Sequence, residues 1–313
     1  MATKYKVFVT DGVSPSGVGV LKACPQIEVI ESPTLKEKEL LEKLKGCDAL
    51  IVRSQTQVSK AILQGCPTVR AVGRAGGGVD NVDVDAATEK GVVVMNTPAG
   101  NTVSTAEQAF TLLLGLARHL PQAHASMSAG QWDRKSFQGT ELNGKTLGIL
   151  GMGRIGGEVA RRAIAFGMRV MAYDPYLSAG KARSLQVELM DRVEDLLPKV
   201  DFITMHLPMT DETKGILSEE RLKLCRKGVK IVNCARGGLV SESVLLQAIE
   251  AGQVGGAALD VFEEEPLAAD HPLRKNKKVI LTPHLGASTA EAQESVGIEI
   301  AEAIRDYLTE GAV

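Results

Sequence analysis

The chain has 313 residues, 44% of them apolar and 24% charged, with a formal net charge of −2. A single hydrophobic core stops growing at about 250–300 residues, so this length predicts two domains with the composition of an ordinary soluble enzyme. The near-neutral charge excludes an electrostatic pull toward nucleic acid or acidic membranes. The longest helix-like apolar stretch, Ala109 to Leu116, is far short of the roughly 20 residues of a membrane span.

Met1-Ala2-Thr3-Lys4-Tyr5-Lys6 runs straight into a strand, Lys6 to Thr10, with no apolar signal region or cleavage site. Ile27 to Ile30 reads as a second strand and Leu35 to Lys45 as a helix. Thr34 and Glu37 have capping-box spacing for that helix, and Gly46 stands where a C′ glycine belongs. Ala49 to Val52, Val69 to Gly73 and Val92 to Met95 read as further strands. Thr97-Pro98-Ala99-Gly100-Asn101 is a turn-rich break. A long apolar helix follows, Thr105 to Leu120, with Ser104 and Glu107 again at capping-box spacing. Beyond Lys145 the predicted strands are Thr146 to Leu150, Arg169 to Tyr173, Phe202 to Met205, Lys230 to Asn233, Gly256 to Leu259 and Val279 to Leu281. Strand–helix alternation predicts βαβ units, a parallel sheet and an α/β fold. Five cysteines with no CxxC pair argue against a disulfide framework or a metal site, and for reduced thiols in a cytoplasmic protein. The basic run Arg274 to Lys278 reads as a solvated loop.

Gly151-Met152-Gly153-Arg154-Ile155-Gly156 is a GxGxxG. Alone it is a weak signal, because a glycine turn between two elements looks the same. Here it follows the apolar run Leu147 to Leu150, opens a helix from Glu158 to Phe166, and precedes Asp174 at the end of the next strand. That context is the dinucleotide fingerprint. Gly151 permits the tight turn, Gly153 lets backbone approach a pyrophosphate, and Gly156 lets helix and strand pack closely. The helix N-terminus attracts the phosphates. Asp174 accepts from the adenosine ribose hydroxyls and repels a 2′-phosphate, which favours NAD over NADP.

Three polar groups follow strand-like runs. Arg236 follows Lys230 to Cys234, Glu265 precedes Pro266, and His284 follows Pro283. Each has a bland alternative as loop, solvated turn or structural histidine. Jointly they resemble the D-isomer-specific 2-hydroxyacid dehydrogenases, through Gly151 to Gly156 with Asp174, Asn233-Cys234-Ala235-Arg236-Gly237-Gly238, Ala258-Leu259-Asp260-Val261-Phe262 through Glu265-Pro266, and Pro283-His284. The resemblance covers essentially the whole chain. It implies that His284 exchanges the proton of the substrate 2-hydroxyl, for which an ordinary pKa near 6.5 is suited. Glu265 orients His284 and raises its pKa, and Arg236 grips the substrate carboxylate and polarises the 2-oxo group. The same resemblance puts Arg154, Ile155, His206, Leu207, Cys234, Ala235, Asp260, Gly286 and Ala287 on the cofactor. Cys234 is a packed thiol rather than a nucleophile, because hydride transfer needs none.

Within the family, Val52-Arg53-Ser54, the run Gly73 to Asp83, Asn96-Thr97-Pro98, Trp132 to Lys135 and His284 to Thr289 resemble the branch that oxidises 3-phospho-D-glycerate at the entry to serine biosynthesis. This implies substrate contacts from Arg53, Ser54 and Arg74, with backbone donors of Gly76-Gly77-Gly78 forming an anion nest. The family often has a larger residue at Gly77, so here only its backbone is left for the cofactor. Arg134 is a candidate to reach a neighbouring subunit's site, since the family dimerises through its nucleotide domains. The implied fold is two Rossmann-like doubly wound domains with a cleft between them. Residues 1–100 plus 287–313 bind substrate and 101–286 bind NAD, with closure around the reactants. Many members of the branch continue into serine-binding regulatory domains, whereas this sequence stops at Val313. Two alternatives stay open: a dehydrogenase for glyoxylate, hydroxypyruvate or another small 2-oxo acid, and an NAD(H)-sensing scaffold like the family's transcriptional corepressor.

Overall fold

A computed structural model of the chain describes residues 4–312; Met1 to Thr3 of the predicted leaderless start, and Val313, lie outside the described residues. The chain divides into two compact units, one made of residues up to Thr102 and from Ala287 onward, the other of Val103–Gly286.

In the first unit β1 (Tyr5–Val9), β2 (Ile27–Glu31), β3 (Ala49–Val52), β4 (Ala71–Arg74) and β5 (Val93–Asn96) form a parallel sheet in the order β2-β1-β3-β4-β5. The sequence of β3, Ala-Leu-Ile-Val, is buried throughout, as a central strand covered on both faces must be. Edge strand β2 keeps only Ile27 fully buried. The two-residue period sends Val7, Val9 and Ile51 to a core with the helix Ala290–Glu310, and Phe8, Leu50 and Val52 to one with Leu40, Ile62 and Leu63. A Cβ on Gly73 would come 2.8 Å from Cγ1 of Ile300, so the glycine lets that returning helix lie close on the sheet.

In the second unit β6 (Thr146–Leu150), β7 (Arg169–Tyr173), β8 (Glu188–Met190), β9 (Phe202–Met205), β10 (Val229–Asn233), β11 (Val254–Leu259) and β12 (Val279–Leu281) form a parallel sheet in the order β12-β11-β10-β9-β6-β7-β8. The helices Thr102–Arg118 and Arg154–Ala165 cover one face, where Phe110 packs edge-on against Phe166 at 4.9 Å between ring centroids. Strand order reverses once in each sheet, between β1 and β3 and between β6 and β9. In open α/β sheets ligands bind beyond the carboxyl ends of the strands at such a reversal.

Three local expectations are corrected. The helix predicted over Leu35 to Lys45 spans Glu37–Lys43, and its N-cap Lys36 makes no side-chain cap; the Thr34 hydroxyl instead reaches Asp11 and Gln55, each at 2.8 Å. The helix predicted from Thr105 starts at Thr102, and Ser104 donates to the Gly286 carbonyl at 2.7 Å rather than capping. The helix predicted from Glu158 begins four residues earlier, at Arg154, inside the glycine motif. The basic run opens in a single turn, Pro272–Lys275, where Arg274 donates to the carbonyls of Leu267 and Ala268, each at 2.8 Å. No helix among the described residues is long and apolar enough to cross a membrane.

Candidate active site

The glycine motif leaves β6 at the reversal of the larger sheet. Gly151 takes a left-handed φ of 93°, and a Cβ there would come 2.6 Å from the His206 carbonyl oxygen and 3.0 Å from Cδ2 of Leu207. A side chain is therefore excluded twice, by backbone angle and by space. A Cβ on Gly156 would collide with the Gly151 carbonyl, which explains the close seat of the helix. Gly153 differs: a Cβ there would meet nothing within 4 Å. It is the N-cap of Arg154–Ala165 and caps it with no side chain, so no capping side chain takes up the first-turn N–H groups, those of Arg154 and Ile155 among them. An uncapped helix N-terminus with clearance at its cap glycine fits the pyrophosphate of a dinucleotide.

Asp174, just beyond β7, accepts from Met152 N at 2.7 Å through Oδ2 and from Tyr176 N at 2.8 Å through Oδ1. It therefore pins the glycine loop. A carboxylate has about four acceptor sites, so two backbone donors leave capacity for ribose hydroxyls. His206 follows β9. Its Nε2 lies 3.0 Å from the Thr204 hydroxyl, and its Nδ1 is buried without a partner among the described residues. Burial pushes this imidazole down to about 4, so it is neutral at pH 7. Five cysteines are free thiols, four of them buried. Burial, with Asp260 beside it, pushes the Cys234 thiol well up, which disfavours the nucleophilic thiolate form.

The three candidate catalytic groups follow three neighbouring strands. Arg236 follows β10, Glu265 follows β11 and His284 follows β12. The Arg236 turn is shaped by Asn233, 2% exposed, whose Oδ1 accepts from Ala235 N at 3.0 Å and whose Nδ2 donates to the Arg236 carbonyl at 2.8 Å. Sequence reasoning gave Asn233 no role beyond its place in the family pattern. Arg236 is half-buried, and its Nη1 donates to the Ala235 carbonyl at 2.7 Å. A Cβ on Gly237 would collide with the Phe262 carbonyl, so glycine brings the Arg236 turn against the Glu265 loop.

Glu265 Oε1 accepts from Phe262 N at 3.0 Å, and Oε2 lies 2.6 Å from Nδ1 of His284. The imidazole is 48% exposed and the carboxylate 36%. The hydrogen bond that His284 donates to Glu265 raises the His284 pKa; burial works against it, the charges of Glu265 and Asp260 reinforce it, and that of Arg236 opposes it. Burial pushes the Glu265 carboxyl up, but the His284 bond and charge, the Phe262 N–H and Arg236 outweigh it and leave it lowered. With Nδ1 committed to the carboxylate, Nε2 is the ring nitrogen that can exchange a proton with a ligand.

Asp260, assigned to the cofactor by resemblance, has a structural task as well. It is 0% exposed, and its Oδ1 accepts from the Thr282 hydroxyl at 2.5 Å and Leu285 N at 2.8 Å, while Oδ2 accepts from Gly286 N at 2.8 Å. These bonds brace both sides of His284, whose φ of 56° is left-handed. Gly286 is itself close-packed, since a Cβ there would come 3.2 Å from Cγ2 of Thr105. Ala287 is the first residue of the return to the other unit.

In the first unit Arg53 and Ser54 follow β3, and Arg74 ends β4. The expected glycine nest is reduced. Gly76 N donates to the Thr97 hydroxyl at 2.8 Å, so it is not offered to a ligand. A Cβ on Gly76 would collide with Nη1 of Arg74, so this glycine makes room for the guanidinium. The Gly77 carbonyl accepts from Nδ2 of Asn96 at 2.6 Å, leaving the amides of Gly77 and Gly78 as the nest candidates. Arg134 lies on the exposed segment after the helix Leu120–Ser128.

The D-isomer specific 2-hydroxyacid dehydrogenase, NAD binding domain, matches residues 110–286. The D-3-phosphoglycerate dehydrogenase of Methanocaldococcus jannaschii is 48% identical over 303 residues, covering 97% of this chain and 57% of the relative. That of Rattus norvegicus is 51% identical over 300 residues, covering 96% of this chain and 56% of the relative. The chain thus spans little more than half the length of these relatives. Among solved structures, a glyoxylate reductase from Paecilomyes thermophila superposes with a TM-score of 0.90 at 30% identity, covering 100% of this chain and 98% of that one. This chain belongs to the D-isomer specific 2-hydroxyacid dehydrogenase family and carries its NAD-binding domain.

Proposed function

We propose that the protein oxidises 3-phospho-D-glycerate to 3-phosphohydroxypyruvate with NAD, the first step of a phosphorylated route to serine. The observation that carries the chemistry is the 2.6 Å contact of His284 Nδ1 with Glu265, on a strand end next to that of Arg236. Two relatives near 50% identity that are named D-3-phosphoglycerate dehydrogenase support the substrate. The cofactor supplies the hydride acceptor when bound, held by the first turn of the helix Arg154–Ala165, by Asp174 and by the backbone near His206, Leu207, Cys234, Ala235, Gly286 and Ala287. His284 Nε2 takes the 2-hydroxyl proton, and Glu265 stabilises the imidazolium that results. Arg236 holds the substrate carboxylate in a two-pronged grip. Arg53, Ser54, Arg74, Arg134 and the amides of Gly77 and Gly78 are the proposed substrate contacts.

The protein acts as a homodimer or larger homo-oligomer in the cytoplasm. The helix Leu120–Ser128 has no buried residue; its Leu120 and Met127, and Trp132 after it, are 63%, 52% and 78% exposed, a surface suited to a second copy. Initial rates with 3-phospho-D-glycerate and D-glycerate test the substrate. Charge-assisted bonds to a phosphate support a preference of about 10–100-fold in kcat/KM for the phosphorylated acid. Equal values would move the reading to glyoxylate or hydroxypyruvate, and no turnover with tight NADH binding would move it to a sensing scaffold.

A further inference from the structure

The smaller sheet reverses its strand order between β1 and β3, and Asp11 lies just past the end of β1 at that point. It is 6% exposed and holds a left-handed φ of 62°. Its carboxylate takes four donors, all from two neighbouring loops. Oδ2 accepts from Arg53 N at 2.9 Å and Thr56 N at 3.0 Å. Oδ1 accepts from the Thr56 hydroxyl at 2.6 Å and the Thr34 hydroxyl at 2.8 Å. The carbonyls of the same turn are held from the other side, since Asn81 Nδ2 donates to Arg53 O at 2.7 Å and to Thr56 O at 2.6 Å. Asn81 is 9% exposed. Between these two buried clasps, Ser54 and Gln55 are exposed. A four-residue turn whose two middle residues are exposed is thus fixed at both ends, and on both its donors and its acceptors, by buried side chains.

We propose that Asp11 is a positioning residue that, with Asn81, presets the turn of residues 53–56 to receive the anionic end of the substrate. This rests on the reading that Arg53 and Ser54 meet that end. A buried carboxylate bound to backbone N–H groups makes stronger bonds than a neutral acceptor, and a turn fixed in advance loses less entropy when a ligand binds. The bond pattern also separates geometry from charge. In Asp11→Asn the amide oxygen can occupy the Oδ2 place and keep both backbone donors. The amide NH2 then faces only the hydroxyls of Thr34 and Thr56, which can turn to accept. The Thr34 hydroxyl retains Gln55 Oε1, 2.8 Å away, as an acceptor for its own proton. Asparagine also tolerates the left-handed backbone. Asp11→Gly tolerates it too, and removes the clasp.

The experiment combines amide hydrogen exchange at Arg53 and Thr56 with kcat and KM for 3-phospho-D-glycerate. In Asp11→Gly, exchange at both amides accelerates and KM rises, each by about tenfold, as loss of one or two net hydrogen bonds implies. The NADH dissociation constant, read by fluorescence, and kcat stay within about twofold, because no group at the hydride site has moved. Asp11→Asn returns exchange and KM close to the parent values. Unchanged exchange in Asp11→Gly, or an Asn variant as impaired as the Gly variant, would overturn the positioning role. Faster exchange with unchanged KM would overturn the link to substrate. If the parent protein prefers an unphosphorylated acid, the substrate reading fails by itself, while exchange and KM with the preferred acid still decide the role of Asp11. Asn81→Ala, read the same way, replaces Asp11→Gly if the latter does not fold.

Discussion

Replacing Glu265 by glutamine leaves the shape of the site almost unchanged and inverts its proton logic. The backbone N–H of Phe262 lies 3.0 Å from Oε1 and can only donate, so the glutamine must turn its amide oxygen there. The amide nitrogen then faces His284 Nδ1 across a contact that is 2.6 Å in the parent and must lengthen. An amide NH2 can only donate, so Nδ1 becomes an acceptor and the neutral ring carries its proton on Nε2. That is the nitrogen assigned as base for oxidation. Glu265→Gln should therefore lower kcat/KM for oxidation by about 10²–10⁴-fold, the usual worth of a general base.

The pH profile reports the other half of the argument. The Glu265 hydrogen bond, reinforced by charge, holds the His284 pKa above its ordinary value. The acidic limb of the oxidation profile should lie above the usual imidazole range in the parent and move to lower pH in the variant. Stability should barely respond, since a pair exposed to 48% and 36% is worth only about 0.2–1 kcal/mol. The small contribution has a defined window. The Glu265 share is present above the ordinary carboxylate pKa and is lost as pH falls through its lowered folded value. The His284 share is present below the ordinary imidazole pKa and is lost as pH rises through its raised folded value. Initial rates of NADH formation from pH 5 to 10, with a thermal melt of each protein, measure both. An unmoved acidic limb, or oxidation within threefold of the parent, would refute the assignment of Nε2 as base and Glu265 as its orienter.

Asp260→Asn should destabilise the second unit by about 1–3 kcal/mol, because each carboxylate oxygen serves a backbone N–H and an amide NH2 must oppose one of them; chemical denaturation measures it, and a midpoint equal to the parent would contradict the buried bracing of His284. Asp174→Ala should narrow the preference for NAD over NADP and also weaken binding of both, since Met152 N loses its acceptor; fluorescence titration with NADH and NADPH separates the two effects, and unchanged selectivity would place ribose recognition elsewhere. Cys234 should resist iodoacetamide at pH 7.5 in the folded protein, as its thiol is 6% exposed and held in the protonated form; mass spectrometry of the labelled peptides checks this.

Much of the larger sheet was legible because its strands are unbroken apolar runs closed by turn residues. β6, β7, β9 and β12 lie where the sequence puts them. β8 escaped because it is a three-residue edge strand, Glu-Leu-Met, with no fully buried residue. The two misread caps share one cause. A threonine or serine three residues before a glutamate looks like a cap, yet Thr34 and Ser104 bond groups 23 and 182 positions away, which local spacing does not carry. The nest is smaller than expected for the same reason, because Thr97, 21 positions on, takes the Gly76 amide. That β10, β11 and β12 are neighbours, so that Arg236, Glu265 and His284 share one edge, is a property of strand order. The family pattern brought those residues to notice, and local propensity had no means of doing so.

Asp174 and Asp260 belong to cofactor motifs in the sequence and Asp11 to none, yet the three have a common construction. Each lies just beyond a strand, β7, β11 or β1, and each accepts backbone N–H groups of a neighbouring loop: Met152 for Asp174, Leu285 and Gly286 for Asp260, Arg53 and Thr56 for Asp11. A parallel sheet makes this necessary. Its ligand loops all leave from the same edge, where the last amides have no strand partner, and a loop that must stay open to ligand has few apolar contacts to fix it. A short carboxylate on the adjacent strand end supplies acceptors without filling the space above. What differs is the second oxygen. At 174 and 260 both oxygens serve backbone donors that cannot reverse, whereas at 11 one serves only hydroxyls that can. Identical Asp→Asn changes should therefore disrupt 174 and 260 and spare 11. A ranking that depends on individual hydrogen-bond partners, with burial running from 0% at Asp260 to 6% at Asp11, is one that burial alone does not produce.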